Sequence, residues 1–225
     1  MTSKPTYKRL MLKLSGEVFC GTQEFGIHPP TLDQVAKQIK EVSALKLELV
    51  IVVGGGNIWR YRDTKESGIE RTASDSMGML ATIMNSVALQ SALEEIGVET
   101  RVCSAIDVPE LAEPFIRRRA IRHLEKGRVV ICSGGTGNPY FTTDSAAALR
   151  ALELECDVVL KATNVDGIYD SDPNKNGNAV KYEELTYAQA IERHLAVMDQ
   201  AAFSLCEEKK LPIVVFNFFK DGMLL

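Results

Sequence analysis

The stretch Leu49-Val50-Ile51-Val52-Val53-Gly54-Gly55-Gly56-Asn57 decides the fold. Five consecutive apolar residues, four of them β-branched, favour an extended chain and leave no polar face for water. A segment of this kind suits a strand buried on both sides, the setting of a parallel sheet covered by helices. Its strand reading extends back to Leu47 across one charged residue, Glu48. The three glycines end it and leave bare backbone where the chain turns.

Outward from this strand, short β-rich runs alternate with helical patterns. Tyr7 to Leu14 reads as a strand, and after the Pro29-Pro30 break Leu32, Val35, Ala36, Ile39 and Val42 recur at helical spacing. A long helix is predicted from Asp75 to Ile96, then a strand from Arg101 to Cys103 and a helix from Phe115 to Glu125. Arg128 to Ile131 reads as a strand, Ser145 to Leu154 as a helix and Val158 to Lys161 as a strand. A helix from Asp199 to Lys209 and a strand from Ile213 to Phe216 complete the pattern. No repeat, low-complexity stretch or Ser/Pro linker divides it. The expectation is one α/β domain over residues 1–225, a three-layer αβα sandwich with a mainly parallel central sheet.

Composition narrows the function classes. Among 225 residues, 45% are hydrophobic and 25% charged, which excludes a disordered chain. A balance of 26 basic against 30 acidic residues argues against a protein that coats nucleic acid or anionic membrane. No apolar run approaches the ~20 residues that span a bilayer, and Met1 to Arg9 is polar and basic, with no signal-peptide stretch after it. Cys20, Cys103, Cys132, Cys156 and Cys206 contain no CxxC pair and read as reduced thiols of a cytoplasmic protein. His28, His123 and His194 are scattered and form no metal set.

Ligands of open α/β sheets bind beyond the carboxyl ends of the strands. Four predicted strand ends carry conspicuous loops: Lys13-Leu14-Ser15-Gly16, Gly54-Gly55-Gly56-Asn57, Gly134-Gly135-Thr136-Gly137-Asn138 and Lys161-Ala162-Thr163-Asn164. One glycine loop alone is a tight turn. Three on one rim, with Lys13 and Lys161 beside them, point to phosphate. GxxxxGK[ST] does not occur, the dinucleotide fingerprint GxGxxG fails at both glycine loops, and protein-kinase triplets are lacking. What remains is carboxylates and lysines without an obvious covalent nucleophile, a set sufficient for phosphoryl transfer. Asp75, Asp144 and Asp199 each stand at a predicted helix start, where capping alone also accounts for them.

These residues resemble, in order and over nearly the whole chain, the bacterial uridylate kinases of the amino acid kinase superfamily. The matching strings are Leu12-Lys13-Leu14-Ser15-Gly16-Glu17, Gly54-Gly55-Gly56-Asn57, Asp75-Ser76-Met77-Gly78-Met79-Leu80-Ala81-Thr82 and Gly135-Thr136-Gly137-Asn138-Pro139. Phe141-Thr142-Thr143-Asp144-Ser145-Ala146-Ala147, Lys161-Ala162-Thr163-Asn164-Val165-Asp166-Gly167-Ile168-Tyr169 and Val197-Met198-Asp199 continue the match. The resemblance implies ATP + UMP → ADP + UDP in pyrimidine nucleotide synthesis, with Mg2+ carried by ATP rather than held in a preformed protein site. By the same resemblance Lys13, Leu14, Ser15, Gly16, Gly56 and Arg60 would hold the ATP phosphates, and Thr163, Asn164, Tyr169 and Asp172 its nucleoside. Gly55, Asp75, Thr136, Gly137, Asn138, Pro139, Tyr140, Phe141, Thr142 and Thr143 would hold UMP. Asp144 and Asp199 would organise Lys13 and the metal, making these three the catalytic set. Gly21, Thr22, Gln23, Glu24, Phe25 and Gly26 fall in the segment that the family ties to GTP activation, and UTP inhibition is also implied.

Two positions depart from the family pattern. Tyr61 follows Arg60 where a small residue is usual, and the chain stops at Leu225, soon after Lys220-Asp221-Gly222, where relatives continue into a final strand. Elsewhere the readings are plainer. Arg117, Arg118, Arg119 and Arg122 form a solvated or subunit-facing surface rather than a nucleic-acid patch. The helix from Asp75 is apolar nearly all round, with Met77, Leu80, Ala81, Met84 and Ala88 on one side. It therefore calls for a second cover besides the sheet, and a closed homo-oligomer supplies one; the resemblance implies a hexamer. Two other functions remain open: a carbamate or amino-acid kinase of the same fold, and a non-catalytic nucleotide-binding protein.

Overall fold

The computed structural model describes residues 6–60, 68–195, 197–220 and 222. Tyr61 and the last residues, 223–225, lie outside them, and so do the expectations that concern them. Seven strands form one parallel sheet: β1 (Arg9–Leu14), β2 (Glu48–Val53), β3 (Thr100–Ser104), β4 (Glu113–Pro114), β5 (Val129–Ser133), β6 (Val158–Thr163) and a last strand, Ile213–Asn217. A two-stranded antiparallel hairpin stands apart, formed by β7 (Ile168–Tyr169) and β8 (Lys181–Tyr182), so the last strand of the sheet is β9. The spatial order is β4-β3-β5-β2-β1-β6-β9. From β1 the chain builds first toward β4 and then crosses to β6 and β9 on the other side. The carboxyl end of β1 is thus the switch point where open α/β sheets bind ligands.

The helices are α1 (Pro29–Ser43), α2 (Arg71–Glu95), α3 (Arg117–Glu125), α4 (Thr143–Glu153), α5 (Tyr187–Glu192) and α6 (Gln200–Lys209). Side-chain parity along β1 sorts them into two layers. Leu10, Leu12 and Leu14 join the core beneath α1 and α2, which contribute Val35, Ile39, Leu89 and Leu93. Met11 points the other way, into a core with Ala120 and Leu124 of α3, Ala146, Ala147, Ala148 and Ala151 of α4, and Ala202 and Cys206 of α6. This is the expected three-layer sandwich. The alanines of α4 have a specific consequence: with no bulk between helix and sheet, the helix backbone lies close to β1, β2 and β6.

The structure shifts one boundary that matters. The long helix was expected to open at Asp75, but α2 begins a turn earlier, at Arg71, with Glu70 as an N-cap that makes no side-chain capping bond. Asp75 is therefore neither cap nor first residue. The stretch Thr72-Ala73-Ser74 hid this turn because its small residues carry no apolar period. The outer face of α2 is also less uniform than its composition suggests. Met77, Leu80 and Met84 are exposed, whereas Ala81 is buried. All five cysteines are free and buried, and no helix among the described residues is long and apolar enough to cross a membrane.

Candidate active site

Parity also delivers the charged centre. Lys13 continues the α4-facing side of β1 beyond Met11, and β1–β6 register sets it directly opposite Lys161. Both ammonium groups converge on Asp144 in the first turn of α4: Lys13 Nζ lies 2.7 Å from Oδ1 and Lys161 Nζ 2.8 Å from Oδ2. Lys161 also donates to the Val197 carbonyl at 2.5 Å. The side chains of all three residues are mostly buried. Burial works to raise the Asp144 carboxyl's pKa, but the charges of Lys13 and Lys161 outweigh it and hold the group below the ordinary carboxylate value. The cluster is net positive by one charge at the rim of the sheet.

Asp144 is placed by its own helix start. Thr142 is the N-cap of α4 and accepts from the Asp144 and Ser145 amides. The Thr142 hydroxyl in turn donates to Asp199, as does Ser145 Oγ at 3.0 Å. Asp199 is itself the N-cap of α6, accepting from the Ala202 amide at 2.9 Å. Two helix starts are therefore pinned to one carboxylate beside the lysines.

Two clefts of similar size flank the end of β1. The first, about 550 Å³, lies between the loops after β2 and β5, with α2 and the start of α4 as walls; it is lined by Gly55, Asp75, Thr136, Asn138, Phe141, Thr142 and Thr143, among others. Close approach is built into it. A Cβ on Gly55 would stand 2.8 Å from the Gly78 carbonyl of α2, and one on Gly16 would stand 2.8 Å from the Gly56 amide. Gly134, Gly135 and Gly137 all have positive φ, the region only glycine enters at no steric cost. Asp75 ties the far wall together, accepting from Arg71 Nε at 2.8 Å and from the Tyr140 amide at 2.8 Å. The second cleft, about 540 Å³, lies beyond β6 under the β7–β8 hairpin and is lined by Lys161, Thr163, Asn164, Tyr169, Asp172 and others. The Tyr169 hydroxyl donates to Asp166 at 2.5 Å, and Lys181 pairs with Asp166 at 3.1 Å, fixing the hairpin at its mouth.

The amino acid kinase family model matches residues 8–217. A uridylate kinase from Paramagnetospirillum magneticum is 55% identical over 222 residues, covering 99% of this chain and 92% of that protein. The chain belongs to the uridylate kinases of the amino acid kinase family. Solved structures agree. A UMP kinase from Bacillus anthracis superposes with a TM-score of 0.94 at 39% identity, covering 98% of this chain and 91% of the other. One from Ureaplasma parvum gives 0.91 at 41%, covering 96% and 92%. A uridylate kinase from Archaeoglobus fulgidus gives 0.70 at 31%, covering 92% and 90%.

In this uridylate kinase the residues expected around the nucleoside of ATP (Thr163, Asn164, Tyr169 and Asp172) share the second cleft. Seven of those expected around UMP share the first; Gly137, Pro139 and Tyr140 belong to the same loop but stand off its lining. Gly56 and Arg60, expected at ATP phosphates, border the first cleft rather than the second. Lys13 lines neither cleft but shares Asp144 with Lys161 of the second, Leu14 is fully buried in the sheet, and Ser15 and Gly16 begin the 3₁₀ turn Gly16–Phe19 behind the glycine loop. Gly21 to Gly26 lies away from both clefts, though Gly26 exchanges hydrogen bonds with Asn57, 2.7 Å to its carbonyl and 2.9 Å from its amide. Sequence reasoning gave no site role to Glu17, Arg71, Trp59, Ser145, Arg193 or His194, all of which border a cleft or bond to Asp199. Arg71 carried a usable signal, its i,i+4 spacing to Asp75.

Proposed function

We propose that the chain transfers the γ-phosphoryl group of ATP to UMP, with ATP in the cleft under the β7–β8 hairpin and UMP in the cleft between the glycine loops. The observation that carries this reading is a pair of nucleotide-sized clefts beside the Lys13–Asp144–Lys161 cluster: Lys161 lines one, and Thr142 and Thr143, at the start of the helix that carries Asp144, line the other. An oxygen of the UMP phosphate bonds to the γ-phosphorus as the bond to the departing ADP oxygen breaks. Lys13, delivered by the end of β1, stabilises charge on the group in transit. Asp144 keeps the two ammonium groups together and aimed. Trp59 and Phe141 give the acceptor cleft apolar surface for a base, while Thr136, Asn138 and Thr143 offer hydroxyl and amide groups to its edge. A small acid would need far less room than this cleft of about 550 Å³.

Mg2+ would be carried by ATP. No three metal-binding side chains cluster among the described residues, but Asp144 and Asp199 would offer it hard carboxylate oxygens alongside the phosphates. The ion would offset phosphate charge. Cytoplasmic location, a role in pyrimidine nucleotide synthesis and a homo-hexamer belong to the same proposal; the exposed Met77, Leu80 and Met84 of α2 support the last, since subunit contacts would cover them. GTP activation through Gly21 to Gly26 is supported by that segment's hydrogen bonds to Asn57 of the glycine loop; UTP would oppose it.

ADP release measured with UMP, CMP, aspartate, glutamate and carbamate as acceptors, with and without GTP or UTP, tests the reading. UMP should be preferred over CMP by roughly 10²-fold or more in kcat/KM, because a site bonded to one base edge leaves buried groups unpaired with the other. Comparable turnover of UMP and CMP, or preference for an acid, overturns it.

A further inference from the structure

The acceptor cleft is lined among the described residues by two guanidinium groups and two carboxylates, and they are already paired with each other. Arg71 pairs with Asp75, and Arg60 pairs with Glu17. Among the described residues, the charges that line this cleft, proposed to take a phosphate dianion, thus balance. The two pairs are not equivalent. Asp75 is largely buried and also holds the Tyr140 amide, whereas the Glu17 side chain is 60% exposed. Arg60 is the better-housed partner in its pair: its Nε donates to the Gly56 carbonyl at 2.6 Å. A Cβ on Gly56 would stand 2.9 Å from that nitrogen, so the guanidinium lies across bare glycine backbone at the floor of the cleft. The cation is fixed by the loop, and Glu17 is an exposed carboxylate on it.

We propose that Glu17 is a positioning residue that stands in for substrate phosphate on Arg60 and gives way when a nucleotide phosphate arrives. The proposal rests on the reading of this cleft as the acceptor site. The guanidinium exchanges one carboxylate for phosphate oxygens of higher charge, so Arg60 keeps an anionic partner in both states and needs little movement. The exchange also taxes binding. The phosphate must displace Glu17, and the displaced carboxylate remains nearby as a like charge. Uridine, which has no phosphate, is exempt from both effects.

Calorimetric titration of UMP and uridine against the wild-type chain, Glu17→Gln and Glu17→Asp tests this. Glu17→Gln should tighten UMP roughly two- to fivefold, the range spanned by an exposed ion pair, with uridine unchanged. Glu17→Asp, which keeps the charge on a shorter arm, should fall between, and the gain should shrink in high salt. Unchanged or weaker UMP binding in Glu17→Gln, or equal tightening of UMP and uridine, overturns the proposal. Wild-type turnover of UMP is measured alongside. Absent turnover sinks the acceptor-site reading, whereas normal turnover with an unchanged affinity in Glu17→Gln sinks only the role of Glu17.

Discussion

Replacing Asp144 by Asn removes a charge while keeping size and one hydrogen-bonding oxygen. The wild-type carboxylate lies 2.7 Å and 2.8 Å from two ammonium groups, and the three side chains are only 11–16% exposed. The variant leaves Lys13 and Lys161 facing one another at a helix N-terminus, whose dipole also opposes positive charge. Breaking a buried pair by removing one partner costs about 3–5 kcal/mol. The rim position admits water, so the lower end, about 3 kcal/mol, applies. For a chain of this length each kcal/mol moves the melting temperature by about 2–4 °C, which gives a fall of roughly 6–12 °C. The pH dependence has a definite sign. The folded-state pKa of Asp144 is lowered, so its contribution is present above the unfolded value near 4 and is lost as pH falls through the folded value. Scanning calorimetry of both proteins without ligand, from pH 8 down to about pH 2.5, should show a gap that is constant at neutral pH and closes only below about pH 4. Equal melting temperatures at pH 7 would falsify the claim that Asp144 holds the two lysines together.

Two further outcomes follow from the same geometry. Asp75→Asn should raise the KM for UMP by roughly tenfold while lowering kcat less, because a contact made alike in ground and transition states acts on binding; an untouched KM removes Asp75 from the UMP site. Light scattering should give a closed homo-oligomer, dispersed by Met84→Glu on the exposed face of α2; a fully active 24.8 kDa monomer contradicts that assembly.

What the sequence made legible depends on period and on backbone chemistry. The parallel core strands are continuous apolar runs, whereas the placement of Lys13, with Met11, on the α4 face came only from the structure. The glycine loops were visible because tight turns and close approaches leave few other choices of residue. Contacts between distant segments were not visible. Nothing local to Ser145 announces that it donates to Asp199, 54 positions away, or that Glu17 meets Arg60, 43 positions away. The two-residue strands β4, β7 and β8 are too short to show a period. Helix α5 was missed although its signal was present: Thr186 and Gln189 form a capping box three residues apart. The start of α2 was misread for the opposite reason, since Glu70 opens a helix without making a cap bond.

In the proposed transfer the cation at the end of β1 acts on the phosphoryl group in transit, not on the binding of UMP. Lys13→Ala tests it with least disturbance, because Asp144 keeps Lys161 as a partner. Steady-state kinetics with ATP and UMP should show kcat lowered roughly 10²-fold or more, equivalent to ~3 kcal/mol of lost transition-state stabilisation. The dissociation constant for UMP, titrated on the same variant, should stay close to that of the wild type. A near-normal kcat, or a loss of activity traced entirely to weaker UMP binding, contradicts the claim.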